Sequence, residues 1–337
     1  MDNIEKQMYL LKNSNCPTLC TFNDIAIPIG IIESNVNQDI SNWLISNFMG
    51  LHYRLTWNQI VFNTRKFYHW DCFNSRKILL ANASLDRFSS TIIQSILNNE
   101  YIYMFVNEYY LPSRTHYYKS NFIHDLCVYG FDNKKRLFYI SAYNTEKKYT
   151  FQCVKFEELY AAFINFYVPF RQIEKSIWKN RILAFRLKDN FNFQNIKVKQ
   201  VNNCIYRYCT SLNLGYGINI YQFIDHHINK VLQQKSNLDL RLFRILTEHI
   251  YIVSLLKHEA INHQQSVTCA ERIFLTAIKY TLTNKDKLLQ NIKNDLLFLK
   301  SYEIESLEPY IKENFTQFKL KRIYRRLTKQ QLKLMID

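Results

Sequence analysis

The hydrophobic pattern of the chain changes once, from short aromatic runs to long helical repeats, and this change constrains the fold most. Runs dense in Tyr, Phe, Ile and Val, bounded by polar turns, predict four strands. After about residue 195, apolar residues recur at spacings of three and four, which predicts helices. The predicted strands are 101–111, 123–131, 136–143 and 149–154. The sequence therefore predicts an α+β protein with a small antiparallel sheet followed by a mostly helical region.

Helices and an extended segment are predicted around this sheet. Before the sheet, helices are expected at 39–48 and 84–97, and after it at 156–166, with a strand or extended crossing segment at 182–193. In the carboxy-terminal region the predicted helices are 201–211, 218–234, 238–256, 266–283, 285–302 and 308–334. We place the domain boundaries at 1–155, a connecting part at 156–195, and a helical domain at 196–337.

Composition excludes several classes of protein. Five Gly and five Pro in 337 residues leave no room for Gly-rich phosphate loops or long flexible linkers. The amino terminus lacks the apolar segment of a secretory signal, and no run approaches the roughly 18 apolar residues of a spanning helix. We expect a cytoplasmic protein without a membrane partner, with eight reduced cysteines and no bound metal or cofactor of its own.

The positive charge is concentrated in the second half of the chain. The net charge of +16 divides into +3 for residues 1–150 and +13 for residues 151–337. It is densest near the carboxy terminus, where basic side chains recur at helical spacing and predict one exposed face. These residues are Lys319, Lys321, Arg322, Arg325 and Arg326. Such a face attracts an acidic partner.

One segment of the sheet region contains a histidine in a distinctive setting. Residues 106–144 read VNEYYLPSRTHYYKSNFIHDLCVYGFDNKKRLFYISAYN. His124 begins a predicted strand, the chain turns at Asp132–Lys135, and a return strand follows. Papain-like cysteine enzymes place their histidine in this way, with the nucleophilic cysteine at the start of an earlier helix.

The segment resembles a more specific family. His124 followed by Val-Tyr-Gly-Phe-Asp at residues 128–132, and preceded by Glu-Tyr-Tyr-Leu-Pro at 108–112, is similar to the papain-fold acyltransferases typified by the butirosin-biosynthesis enzyme. The resemblance implies a papain-like amino-terminal domain and a helical domain. It also implies natural-product biosynthesis, in which an acyl group passes from a carrier-protein thioester to an amine. The phosphopantetheine arm would then belong to an acidic carrier protein.

The resemblance also implies site residues, and several alternatives are open. The nucleophile is expected to be Cys20 or Cys16, with His124 as base, although Pro28 and Gly30 should truncate a helix after Cys20. A symmetrical turn places residue 143 opposite His124, and Asn144 reaches that position only if the hairpin contains a bulge. The remaining candidates to orient His124 are Ser141 and Tyr143, and those to line the substrate cleft are Glu108 and Tyr110.

Three functional hypotheses follow. The first is a Cys/His acyltransferase or thioester-cleaving enzyme, and the second is the same fold without catalysis, as a scaffold or binding subunit. The return strand lacks an Asp, which favours the second hypothesis. The third is nucleic-acid binding, which the charge permits, but no recognised sequence motif accompanies it, so nucleic acid is not the expected partner.

Overall fold

The computed structural model describes residues 7–54, 59–167, 175–211, 216–234, 236–256 and 263–316, together with 319, 321–323 and 325. The protein is α+β. It forms two compact units: unit 1 comprises Met1–Asn37 and Lys66–Phe191, and unit 2 comprises Gln38–Arg65 and Asn192–Asp337.

Unit 1 is built on an antiparallel sheet of seven strands. The strands are β1 (Met8–Leu10), β4 (Phe73–Leu79), β5 (Tyr101–Asn107), β6 (Ile123–Asp132), β7 (Leu137–Tyr143), β8 (Tyr149–Lys155) and β9 (Arg181–Leu187). Their order is β4-β9-β5-β6-β7-β8, and β1 pairs with the far end of β6. The four strands predicted from aromatic runs are therefore confirmed as β5 to β8, and the predicted crossing segment contains β9.

Three helices pack on this sheet: α1 (Asn23–Asn35), α3 (Leu85–Leu97) and α4 (Phe156–Ile164). α1 packs against β6 and β7, α3 packs against β5, β6 and β1, and α4 packs against β5, β7 and β8. Ser84 caps α3 by accepting a hydrogen bond from the backbone N–H of Arg87.

α1 is longer than the sequence predicts. Pro28 and Gly30 were expected to truncate it, and this expectation is wrong, because the helix runs through both residues. Its apolar residues from Ile25 to Ile32 are buried, so burial of the whole helix outweighs the hydrogen bond that proline removes. Gly30 is needed for close packing, since a Cβ there would lie 2.8 Å from Asn13 Oδ1.

A bulge and a glycine shape the strand that begins with His124. The register between β6 and β7 shifts between Val128 and Gly130, so that Cys127 pairs with Ser141. A Cβ at Gly130 would lie 2.4 Å from Leu10 Cδ2. Gly130 therefore allows β1 to approach β6.

Unit 2 combines a two-stranded hairpin with six helices in the described part of the chain. The elements are β2 (Leu51–Arg54), β3 (Gln59–Phe62), α2 (Ser41–Phe48), α5 (Val198–Thr210), α6 (Ile220–Gln234), α7 (Leu240–Ser254), α8 (His263–Thr283) and α9 (Asp286–Asn314). Residues 38–65 thus lie with the helices, although the sequence placed them in an amino-terminal domain. Aromatic packing accounts for this: Trp43 contacts Phe193, and Tyr53 lies 4.2 Å from Phe223 between ring centroids.

The last helix and the polar core of unit 2 depart from the simple periodic pattern. α9 continues through Pro309 instead of ending near Tyr302. Inside the unit, the buried Glu303 carboxylate accepts a hydrogen bond from Tyr221 at 2.5 Å and lies 3.2 Å from His249 Nε2.

Among the described residues, no helix combines the length and apolar character needed to cross a membrane.

Candidate functional site

His124, at the second position of β6, is the centre of a polar cluster in unit 1. Its ring Nδ1 lies 3.1 Å from Asn23 Nδ2, 3.1 Å from Asp125 Oδ1 and 3.4 Å from Arg114 Nη2. The side chain is 28% exposed, whereas these three partners are buried. The cluster therefore opens to solvent through the imidazole.

Asn23 is the first residue of α1, so the helix start faces the imidazole. Its amide nitrogen also donates to the backbone carbonyl of Asp125 at 2.8 Å. Phe22, at the N-cap, provides no side-chain hydrogen bond to the helix. An unprotonated Nδ1 of His124 accepts from Asn23, and a protonated one donates to Asp125, so both states of the imidazole have a partner.

Asp125 provides the buried negative charge of the site. Burial alone would raise the pKa of its carboxyl group, but the interaction with His124 and the hydrogen bond from Tyr103 lower the pKa well below the usual range. The Tyr103 hydroxyl donates to Oδ2 at 2.6 Å. Burial and the Asp125 carboxylate in turn raise the pKa of Tyr103. Asp125 therefore stays ionised at neutral pH.

A buried ion pair between Arg114 and Glu108 forms part of this polar cluster. Arg114 Nε donates to Glu108 Oε1 at 2.8 Å, and Arg114 Nη1 donates to the backbone carbonyl of Tyr143. Glu108 Oε1 lies 4.0 Å from His124 Nδ1. Glu108, predicted to line a cleft, is only 5% exposed and is directed at Arg114. Tyr110, the other predicted lining residue, is half-buried.

The predicted orienting residues make other contacts. The bulge that Asn144 required is present, but Asn144 Oδ1 accepts from the backbone N–H groups of Glu146 and Lys148 in the β7–β8 turn. Ser141 accepts a hydrogen bond from Asn13, and Tyr143 meets Arg114 through its carbonyl. In the described part of the chain, the carboxylate nearest to His124 Nδ1 is that of Asp125, at 3.1 Å, and Glu108 follows at 4.0 Å.

The two candidate nucleophiles lie in the segment that leads into α1. Cys16 is exposed, and Cys20 is half-buried three residues before Asn23. The partners described for His124 Nδ1 are Asn23, Arg114 and Asp125. A role for either thiol stays a prediction.

The predicted basic face is partly described. Lys319, Lys321, Arg322 and Arg325 are exposed, and Arg326 lies outside the described residues. Lys319 Nζ lies 5.4 Å from the ring centroid of Tyr206 and 5.9 Å from that of Phe315. The Lys319 ammonium group therefore makes cation–π contacts with two aromatic rings of unit 2.

Sequence reasoning missed three residues of the cluster: Asn23, Arg114 and Asp125. Adjacent strand residues point to opposite faces, so Asp125 was not expected to meet His124. At the start of β6, however, the imidazole of His124 lies beside the Asp125 carboxylate, with 3.1 Å between Nδ1 and Oδ1. Arg114 could have been found, because it is the one arginine in the loop that follows Glu108 and precedes His124.

Neither family models nor curated proteins provide a match for the chain. No group of three or more His, Cys, Asp or Glu side chains within the described ranges is arranged to hold a metal ion.

Proposed function

We propose that the chain is a papain-like accessory protein of natural-product biosynthesis that binds its acyl substrate without forming a covalent intermediate. One observation carries this proposal: the side chain that faces His124 from the start of α1 is Asn23. The family resemblance supplies the substrate class, an acyl thioester borne by a carrier protein.

An asparagine at this position has consequences for chemistry. A cysteine at a helix start beside a histidine forms a thiolate, which is the nucleophile of papain-like enzymes. The amide of Asn23 neither ionises in the physiological range nor offers a nucleophilic sulfur. It can still donate and accept hydrogen bonds, which suits a binding role.

An acidic carrier protein is the proposed partner. The exposed cations Lys319, Lys321, Arg322 and Arg325 would attract it, and their attraction would weaken with salt. An amine acceptor is not required by this proposal.

The experiment tests for covalent acylation. Wild-type protein and the variants Asn23→Cys and Asn23→Ser are incubated with a small acyl thioester, and intact masses are measured. In Asn23→Cys the new thiolate should take up one acyl group on residue 23 and release the donor thiol. Wild type and Asn23→Ser should show only the slow exchange expected of exposed thiols such as Cys16 and Cys153, at a rate that does not depend on His124. His124→Gln in the Asn23→Cys background should slow the acylation of residue 23, because the base is removed.

A second candidate function is a cysteine acyltransferase that uses Cys20. Its supporting observation is the position of Cys20 in the segment just before α1. Acylation of wild type at Cys20 or Cys16, located by peptide mapping and lost in His124→Gln, would refute the non-covalent proposal and establish this one.

A further inference from the structure

Two segments of unit 1 that pair in the sheet are unusually basic. Residues 66–79 and 175–188 contain eight of the 20 Lys and Arg residues in unit 1 but only one of its 15 Asp and Glu residues. The first segment includes β4 and the second includes β9. Unit 1 as a whole has a net charge of +5, so these segments account for its positive charge.

Pairing of the strands brings these cations to one edge of the sheet. β4 is the last strand of the sheet order and pairs with β9, where Lys77 lies opposite Leu183 and Leu79 lies opposite Arg181. Lys77 and Arg181 therefore lie on the same face, two residues apart along the ladder. Arg186, opposite Asn74, lies on the other face of the same edge.

Several of these cations have no carboxylate partner in the described part of the chain. Arg76 and Lys66 form ion pairs with Glu100 and Asp24. By contrast, no ion pair neutralises Lys77, Arg181 or Arg186 among the described residues, and all three are exposed. Their charges are available to an external anion.

Aromatic rings lie beside Lys77. The rings of Tyr68 and Trp178 are 5.8 Å apart, and Lys77 Nζ lies 5.8 Å and 5.6 Å from their centroids. Tyr68 is half-buried, and the adjacent His69 ring, 4.6 Å away, is exposed. The edge therefore combines unpaired cations with accessible flat rings.

We propose that this edge, formed by residues 66–79 and 175–188, binds single-stranded nucleic acid. The cations would contact phosphates and the rings of Tyr68 and His69 would stack on bases, which is how proteins bind single strands without reading sequence. Stacking of bases on these rings would contribute affinity that does not depend on the salt concentration. A polyanion without bases would lack this contribution. The inference is independent of the chemistry at His124.

The test measures binding of the full-length protein to a fluorescent 20-nucleotide oligo(dT) by anisotropy over a range of salt. The test variant is Lys77→Glu/Arg181→Glu, and the control is Lys134→Glu/Lys147→Glu. The control changes the net charge equally at exposed, unpaired lysines in the β6–β7 and β7–β8 turns. Circular dichroism verifies that both variants are folded.

Wild type should bind at low salt, and the test variant should lose at least about tenfold in affinity. The slope of the logarithm of the binding constant against the logarithm of the salt concentration should decrease in magnitude by about 1.4, because two phosphate contacts are lost. The control should stay close to wild type. Tyr68→Leu should weaken binding by roughly tenfold without changing the salt slope, because only stacking is lost.

Four results would overturn the proposal. The first is that wild type shows no binding at low salt, and the second is that the control and test variants weaken binding equally, which would reveal attraction by total charge. Binding to phosphatidylserine vesicles without binding to oligo(dT) would assign the edge to an anionic membrane surface instead. A variant Lys319→Glu/Lys321→Glu that alone abolishes binding would move the site to unit 2.

Discussion

Replacing Tyr103 by Phe isolates one of the hydrogen bonds that, together with His124, lower the pKa of Asp125 in unit 1. The ring of Tyr103 packs against Phe67 and Phe105 with centroid distances of 5.0 Å and 5.5 Å, and phenylalanine preserves these contacts. The substitution removes only the hydroxyl that donates to Asp125 Oδ2 at 2.6 Å. A hydrogen bond to a buried charge contributes about 1.5–3 kcal/mol, so the variant should lose about 2 kcal/mol of stability.

A matched control lies two residues away on the same strand. Tyr101 is also buried, but its hydroxyl donates to the backbone carbonyl of Lys12 and accepts weakly from Asn35 Nδ2 at 3.3 Å, so both of its partners are neutral. Tyr101→Phe should therefore cost only about 1 kcal/mol, as for a neutral hydrogen bond. Hydrogen–deuterium exchange of peptides that cover β5 and β6 reports the stability of unit 1 separately from that of unit 2.

The pH dependence of the stability of unit 1 provides a second measurement. The pKa of Asp125 is lower in the folded state than in the unfolded state, so the ionised carboxylate adds to the free energy of unfolding. This contribution is complete above the unfolded-state pKa of about 3.9 and is lost as the pH falls through the folded-state pKa. Without Tyr103 the carboxyl group takes up its proton at a higher pH. The stability difference between wild type and Tyr103→Phe should therefore narrow in acid. Equal losses for the two tyrosine variants, or a difference independent of pH, would refute this account of Asp125.

Three other substitutions probe separate features of the two units. Burial lowers the pKa of Lys300 to about 8 against the opposing effect of Glu303, so Lys300→Met should add up to about 3 kcal/mol to the stability of unit 2 at pH 7, and this difference from wild type should shrink between about pH 8 and 10.5, measured by urea unfolding. Gly130→Ala should cost about 2 kcal/mol and speed amide exchange in β1, because the new Cβ would lie 2.7 Å from the backbone carbonyl oxygen of Tyr9. Arg114→Met should cost about 3–5 kcal/mol by leaving Glu108 buried and unpaired, and adding Glu108→Leu should restore most of that loss in thermal unfolding.

Strands and helices with strong local patterns could be predicted from sequence. β6 was expected at 123–131 and spans Ile123–Asp132, because its aromatic and β-branched residues are bounded by polar turns. α3 was expected at 84–97 and spans Leu85–Leu97 after its Ser84 cap. In both elements, local preference and tertiary packing favour the same structure.

Features that depend on distant contacts could not be predicted in this way. Residues 38–65 join unit 2 through aromatic contacts such as Trp43 with Phe193, which no local pattern reveals. α1 continues through Pro28 because its apolar residues are buried on all sides. The turn pairs Asp132 with Leu137, and a bulge between Val128 and Gly130 shifts the register again, so symmetry about residues 133 and 134 gave the wrong register along β7.

The polar cluster around His124 does not by itself require a catalytic explanation. Asp125 and Arg114 are buried, and each must be paired if the folded state is to be stable, because an unpaired buried charge costs several kcal/mol. Their partners Tyr103 and Glu108 satisfy that requirement without any substrate. What distinguishes a nucleophilic site from such a network is the side chain at the start of α1, and Asn23 occupies that place. The acylation experiment on Asn23→Cys therefore separates chemistry that the scaffold could support from chemistry that this chain performs.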